Sequence, residues 1–367
     1  MYTPQMAIRP LLLLVVPLLL VAGAAAAPPA GASNATVGTR TPVTASALTT
    51  SGQLLGVTAT SGGNAWAVGA TSRGKTLIAH WNGIAWKQVP SPGPAGAVLR
   101  HVAATSSRNA WAVGGYGTAK SRTLILHWNG TAWKRVPSPS PGAFASLSGV
   151  TATSERNAWA VGSYGTGTRS RTLILRWNGK TWRRVPSPSP GAFAGLSGVT
   201  ATASRSAWAV GATATADSQA AALIERWNGK AWKKVRSPAR GSGLNSVVAT
   251  SAHSAWAVGF GGTGGGYSIL RWNGKAWKVV PAPKPAGYLP YPSGIAATSA
   301  RLAWVVGSSS TGKTVIQRWN GTSWKRARSP AGSLYGVAAT SPRNAWAVGQ
   351  TGSGKTLILH WNGTVWK

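Results

Sequence analysis

The 367-residue chain contains no cysteine, only three acidic residues, three phenylalanines and two methionines. Without cysteine there is no disulfide framework, no thiolate metal site and no thiol nucleophile, so the fold must rest on its core. The acids, Glu155, Asp217 and Glu225, fall in different repeat units or different segments of a unit. A glycosidase needs two carboxylates flanking the scissile bond, and a Ser-His-Asp triad would have to use the single Asp. The histidines (His80, His101, His127, His253 and His360) form no H-x-x-x-H and no cluster with a carboxylate, so no metal site is expected. No stretch keeps a helical period. This inventory predicts a chain that is not an enzyme, with no catalytic residues, no metal and no cofactor.

What is abundant is positive charge and tryptophan. Lysine and arginine number 38, for a net charge of +35. Such an imbalance favours polyanionic partners: anionic polysaccharide, cell-envelope polymer, anionic lipid surfaces or nucleic acid. At the N-terminus Arg9 precedes an apolar run, Leu11 to Ala27, and Ala30-Gly31-Ala32 fits an A-x-A cleavage site. Residues 1–32 are expected to be a signal peptide, with an uncleaved anchor as the alternative. The protein is then secreted, extracellular or associated with the cell surface, with no transmembrane partner implied. Residues 33–52, rich in Ser, Thr, Ala and Gly, read as a flexible linker.

From residue 53 onward one unit recurs: L-x-G-V-x-A-T-S, N-A-W-A-V-G, T-L-I-L-H-W-N-G-T-A-W-K, then V-P-S-P. The A-W-A-V-G tryptophans are Trp66, Trp111, Trp159, Trp208, Trp256, Trp304 and Trp346, spaced by 45, 48, 49, 48, 48 and 42 residues. Two more sets of seven, at W-N-G and five residues beyond it, complete the 21 tryptophans. That period indicates a solenoid or a propeller. Each unit has four short β-prone runs, and Asn-Gly stands between the last two, where a type I′ hairpin is expected. Four antiparallel strands per unit make one propeller blade. The expected fold is therefore all-β: a seven-bladed β-propeller over residues 53–367, preceded by signal peptide and linker. The chain given ends just inside the fourth strand of unit seven, and Thr41–Leu48 is the segment expected to pair there and close the ring.

The repeated AWAVG…WNGxxW unit resembles that of secreted bacterial tandem-repeat propellers. Its W-N-G-x-x-W hairpin is similar to the W-D-G-x-x-W hairpin of seven-bladed propeller lectins and to the Asp-box hairpin of sialidase-like propellers. The resemblance covers residues 54–367, about 85% of the chain. It implies the propeller fold and, from the lectins, sugar binding between blades. Asn stands here in place of Asp, and the sugar-contacting positions of the lectins find no one-to-one match.

Propeller topology places the loops between second and third strands on one face. There lie Lys75, Lys120, Arg122, Arg169, Arg171, Lys313 and Lys355, with Tyr116 and Tyr164 among them and Phe144 and Phe193 in neighbouring loops. These cations belong to units one, two, three, six and seven and are expected to form an arc, broken by Asp217 and the neutral GGTGGGYS at 261–268. Lys75, Tyr116, Lys120, Arg122, Tyr164, Arg169, Arg171, Lys313 and Lys355 are the candidate ligand site. The other face carries the turn arginines Arg108, Arg156, Arg205, Arg301 and Arg343 and the tryptophans, with Arg available for stacking. A cation follows each third-set Trp, a rim that protects the outer strand edge.

Three of the loops, GATSRGKT (69–76), GSSSTGKT (307–314) and GQTGSGKT (349–356), match the phosphate-loop pattern G-x-x-x-x-G-K-[ST]. A phosphate loop opens a helix, whereas strand-like sequence follows here, so the matches are read as accidental. The function expected is a secreted binding module for anionic glycan or cell-envelope polymer, bound by cations interleaved with aromatics. The alternatives are a structural or protein-interaction scaffold and a neutral-sugar lectin. Nucleic-acid binding is expected to be non-specific only.

Overall fold

The computed structural model describes residues 48, 50–166, 168–214, 220–239, 242–261, 267–281, 283 and 290–367. Residues 1–32, most of the stretch read as a linker, Asp217 and residues 262–266 lie outside the described residues. Those described form 27 β-strands and no helix. The first meander is β1 (Gly52–Ser61), β2 (Asn64–Thr71), β3 (Thr76–Trp81) and β4 (Trp86–Val89), paired antiparallel in that order. The same meander follows five more times, and the seventh unit has three strands plus a Trp361–Trp366 bridge. In β2 all residues but the last are buried, and β3 is buried except at His80. Both faces are apolar because neighbouring meanders cover both. The outer strand buries Trp86 and exposes Lys87 and Gln88, and the rim cations Lys134, Arg183, Lys233, Lys278, Lys325 and Lys367 are exposed likewise.

The core is divided among the contacts between successive meanders. One cluster joins Trp66, Val68 and Ile78 of unit one to Leu99, Leu124 and Trp133 of unit two. Another joins Trp346 and Val348 of unit seven to Leu54, Leu77 and Trp86 of unit one. Tryptophan sits at each joint. Trp66 meets Trp128 at 4.9 Å and Trp133 edge-on at 5.1 Å, and Trp346 meets Trp81 and Trp86 at the same two distances. The first-set tryptophans are at most 1% exposed. Such rings contribute large apolar area and specific edge-to-face contacts.

Two details differ from the sequence expectation. The Asn-Gly hairpin is a four-residue connection, not a two-residue type I′ turn, because Trp81 pairs directly with Trp86. Asn82 Oδ1 accepts the N–H groups of Ile84 and Ala85, both at 3.0 Å, an Asx turn that replaces missing backbone partners. Gly83 follows with φ 95°, where other residues are strained. Of the segment expected to close the ring, residues 41–47 lie outside the described residues, and the closing contacts that are described fall beside the third strand. Thr356, which opens the third strand of unit seven, donates its N–H to Thr50 O at 2.9 Å and its hydroxyl to Leu48 O. Ser51 bridges Lys355, and Gly52 N–H donates to Gly354 O at 2.9 Å. In units two and three the equivalent hydroxyls, of Thr123 and Thr172, bond to the V-P-S-P segment. Leu48 and Thr50–Gly52 therefore substitute for V-P-S-P beside the third strand, rather than extending the fourth. The end of the stretch read as linker is held in the sheet.

Candidate functional site

All seven sequence-predicted cations are exposed: Lys75, Lys120, Arg169, Lys313 and Lys355 lie between strands, whereas Arg122 and Arg171 lie within third strands, paired with Tyr116 and Tyr164. Lys75, Lys313 and Lys355 occupy equivalent tight turns. The N–H groups of Thr71, Ser309 and Thr351 each donate to the lysine carbonyl at 2.8 Å, and Gly74, Gly312 and Gly354 have φ of 69°, 70° and 75°. The threonine after each lysine is buried and begins a strand. The G-x-x-x-x-G-K-T match is thus a reverse turn between antiparallel strands, with no helix N-terminus to receive phosphate.

Hydrogen bonds join some of these loops and not others. Ser121, between Lys120 and Arg122, bridges Phe144 of the next unit, and its carbonyl accepts from Ala145 N–H at 3.0 Å. Ser170, between Arg169 and Arg171, pairs with Phe193 in the same way. Ser51 bridges Lys355 and accepts from Ser72 N–H at 3.0 Å, linking the turns of units seven and one. Lys313 has no such link among the described residues. Tyr116 and Tyr164 are half-buried, and each is clamped by an outer-strand arginine. The Arg135 and Arg184 guanidinium groups lie 4.7 and 4.4 Å from the ring centroids and donate to the hydroxyls. Sequence reading missed these partners; their signal is the second cation in W-K-R and W-R-R.

The expected stacking of turn arginines on tryptophan is corrected. The stems of Arg108, Arg156, Arg205, Arg301 and Arg343 lie instead against the hairpin glycines. Stacking comes from the residue before W-N-G, where His and Arg interchange. His80, His127 and His360 stack on Trp66, Trp111 and Trp346 at 4.1, 4.1 and 4.2 Å. Arg176, Arg226, Arg271 and Arg318 cover the corresponding tryptophans at 5.0–5.2 Å. Burial lowers the pKa of all three histidines, so neutral rings and cations fill one stacking role.

The central channel was not anticipated. All seven inner strands line it, and they enclose a cavity of about 330 Å³. Each strand carries a β-bulge at the same register, since Leu54 pairs with Gly69 while Gly56 pairs with Val68. The extra residues are Leu55, Arg100, Ser148, Ser197, Asn245, Ser293 and Tyr335. A bulge re-aims a side chain out of the regular alternation, and all seven line the cavity, half-buried. The bulge also explains the glycine of A-W-A-V-G. A Cβ on Gly69 would stand 1.9 Å from Gln53 O, and the other six sites are as tight. Burial lowers the Arg100 pKa from its ordinary value and pushes His101 down to about 4. His101 stands where five of the other six units have glycine, and its Nδ1 is sealed without a partner. The signal available in the sequence was the position between Leu and Gly-Val, which runs through Leu, Arg, Ser, Asn and Tyr in an otherwise regular strand.

No family model and no curated protein sequence matches the chain. Solved structures match its fold. The chain is similar to YCF48 bound to D1 peptide, at 15% identity over 85% of this chain and 94% of that one, with a TM-score of 0.56. It is similar to streptogramin B lyase at 15% identity over 85% and 93%, TM-score 0.59. It is also similar to puromycin hydrolase at 10% identity over 89% and 54%, TM-score 0.58. At these identities the likeness shows a propeller-like all-β fold alone. It nonetheless overturns the expectation that the chain is not an enzyme. That expectation rested on the scarcity of carboxylates, and the same architecture serves a lyase and a hydrolase.

Proposed function

We propose that the chain is a secreted seven-bladed propeller that binds an anionic polymer, a polysaccharide or cell-envelope polymer, on the loop face bearing Lys75, Lys120, Arg122, Arg169, Arg171, Lys313 and Lys355. The observation that carries this reading is the exposure of all seven cations in a chain of net charge +35. Seven blades follow from the seven tryptophan joints, the last of which returns to unit one. Residues 1–32 serve as the export signal, which puts the protein outside the cell or on its surface. Tyr116 and Tyr164 contribute half-exposed rings already backed by arginine, and Phe144 contributes an exposed one. A neutral-sugar reading has less support, because the first- and third-set tryptophans are buried in the joints and offer no open stacking platform.

The test is retention on immobilised polyuronate and on a neutral glucan at low and high salt. Polyanion binding through exposed cations weakens steeply with ionic strength. Retention on polyuronate at low salt, lost at high salt and reduced in a Lys75→Ala/Lys313→Ala/Lys355→Ala variant, is expected. No retention on polyuronate at low salt rejects the reading. Binding of acidic peptides but not polyuronate favours a protein partner instead.

A further inference from the structure

The central channel contains one half-buried cation, Arg100. Its side chain makes no hydrogen bond and no ion pair among the described residues, and no carboxylate lines the cavity with it. A guanidinium facing a narrow cavity with no protein partner is available to an anionic ligand. Around it, at the same bulge level, stand the hydroxyls of Ser148, Ser197 and Ser293, the Asn245 amide and the Tyr335 ring. The Asn245 amide nitrogen already donates to Pro292 O at 2.7 Å, which fixes its carbonyl oxygen as a free acceptor. One planar cation, several neutral donors and acceptors and one aromatic ring make a recognition set, and the cavity is within the size range of small-ligand sites.

We propose that this channel binds one small hydroxylated carboxylate, a sugar acid, with Arg100 gripping the carboxylate. The bulge serines and Asn245 take the hydroxyls, and Tyr335 packs against the ring. The guanidinium fork matches a carboxylate bidentately, and serine and amide groups serve as both donors and acceptors for hydroxyls. This site is separate from the loop face: it uses none of the loop cations, and its affinity depends on one half-buried charge in the channel instead of many exposed ones. The sugar acid is either free or the terminus of a chain, and the chemistry recognised is the same.

Calorimetric titration of the full chain with glucuronate, glucose and inorganic phosphate at high salt isolates the channel, because high salt suppresses the loop face. The expected result is one glucuronate per chain, with glucose and phosphate each weaker by about ten-fold or more, the scale of one charged hydrogen-bond pair. Arg100→Ser should weaken glucuronate by a similar factor, and Ser197→Tyr should block the channel. Both substitutions place a residue that the bulge already accepts in another unit, so folding is retained. The Lys75→Ala/Lys313→Ala/Lys355→Ala variant should bind glucuronate unchanged. Competition by a short oligouronide, abolished by Ser197→Tyr, identifies a chain terminus as the source; glucuronate binding without such competition identifies the free acid. The proposal is overturned if glucuronate does not bind, if glucose or phosphate binds equally well, or if Arg100→Ser leaves binding unchanged.

Discussion

Glu225 should make the protein less stable as the pH rises above neutrality. It occupies the third strand of unit four, where units two, three, five and seven carry leucine. Its side chain is fully buried, and neither carboxylate oxygen has a partner. Burial pushes its pKa up to about 8 from an ordinary value of 4.5. The folded chain therefore keeps a proton that the unfolded chain releases, and stability falls as pH climbs from the unfolded to the folded value. A tenfold change in proton affinity is worth about 1.36 kcal/mol, so the full effect is roughly 5 kcal/mol. The half-buried histidines act in the opposite direction around and below pH 6.5: His101 is held down to about 4 and His80, His127 and His360 are lowered too. Their contribution is complete only about one unit above pH 6.5, and it is common to the wild type and a Glu225 variant. Between pH 6.5 and 8 the Glu225 contribution alone should fall by about 2 kcal/mol. Urea unfolding of wild type and Glu225→Leu at pH 6.5 and 8.5 measures this directly. The variant should be more stable at both values, and its advantage should widen by about 2 kcal/mol at the higher pH. Parallel pH dependence of the two proteins would refute the assignment of a buried, neutral carboxyl.

Other perturbations test the joints and the closure. Trp66→Ala empties the contact between units one and two and should cost about 3–5 kcal/mol in urea unfolding, whereas Ile84→Ala, at a residue 76% exposed on a hairpin, should cost under about 0.5 kcal/mol. Gly69→Ala sets a methyl 1.9 Å from Gln53 O and should lower the thermal midpoint far more than Gly62→Ala, whose Cβ would meet nothing within 4 Å. Removing residues 1–51 deletes the acceptors of Thr356 and should destabilise the chain in urea unfolding by about 1–3 kcal/mol for the buried hydroxyl and amide left unpaired; removing only residues 1–47 should leave those bonds intact.

Much of the architecture was legible because it repeats. The tryptophan spacing, the short β-prone runs and the glycine punctuation each state one meander, and seven copies leave little choice of fold class. Local chemistry was read less well. Asn-Gly suggested a two-residue turn because backbone preference was considered without the Asn side chain, which caps the loop itself. The histidines entered the sequence reading only as metal-ligand candidates, because the tryptophan that each histidine or arginine before W-N-G covers, in the first set of its own unit, was visible only in the fold. Lys75, Lys313 and Lys355 could be placed from topology because each ends the turn between the second and third strands of its unit. Tyr116 and Tyr164, by contrast, meet arginines from the outer strand, a pairing that depends on register.

The sequence alone determined the unit, its strands and the faces that must be buried, since hydrophobic period, glycine and tryptophan act within one or two strands. The tertiary structure decided what stands in the middle. Leu55, Arg100, Ser148, Ser197, Asn245, Ser293 and Tyr335 are about 45 residues apart along the chain, and only the bulge in each inner strand turns them toward a common axis. Arg100 is one cation among 38 in the sequence. In the channel it stands among serine, asparagine and tyrosine with no carboxylate among the residues that line the cavity, because closing the ring gathers one bulge residue from every unit.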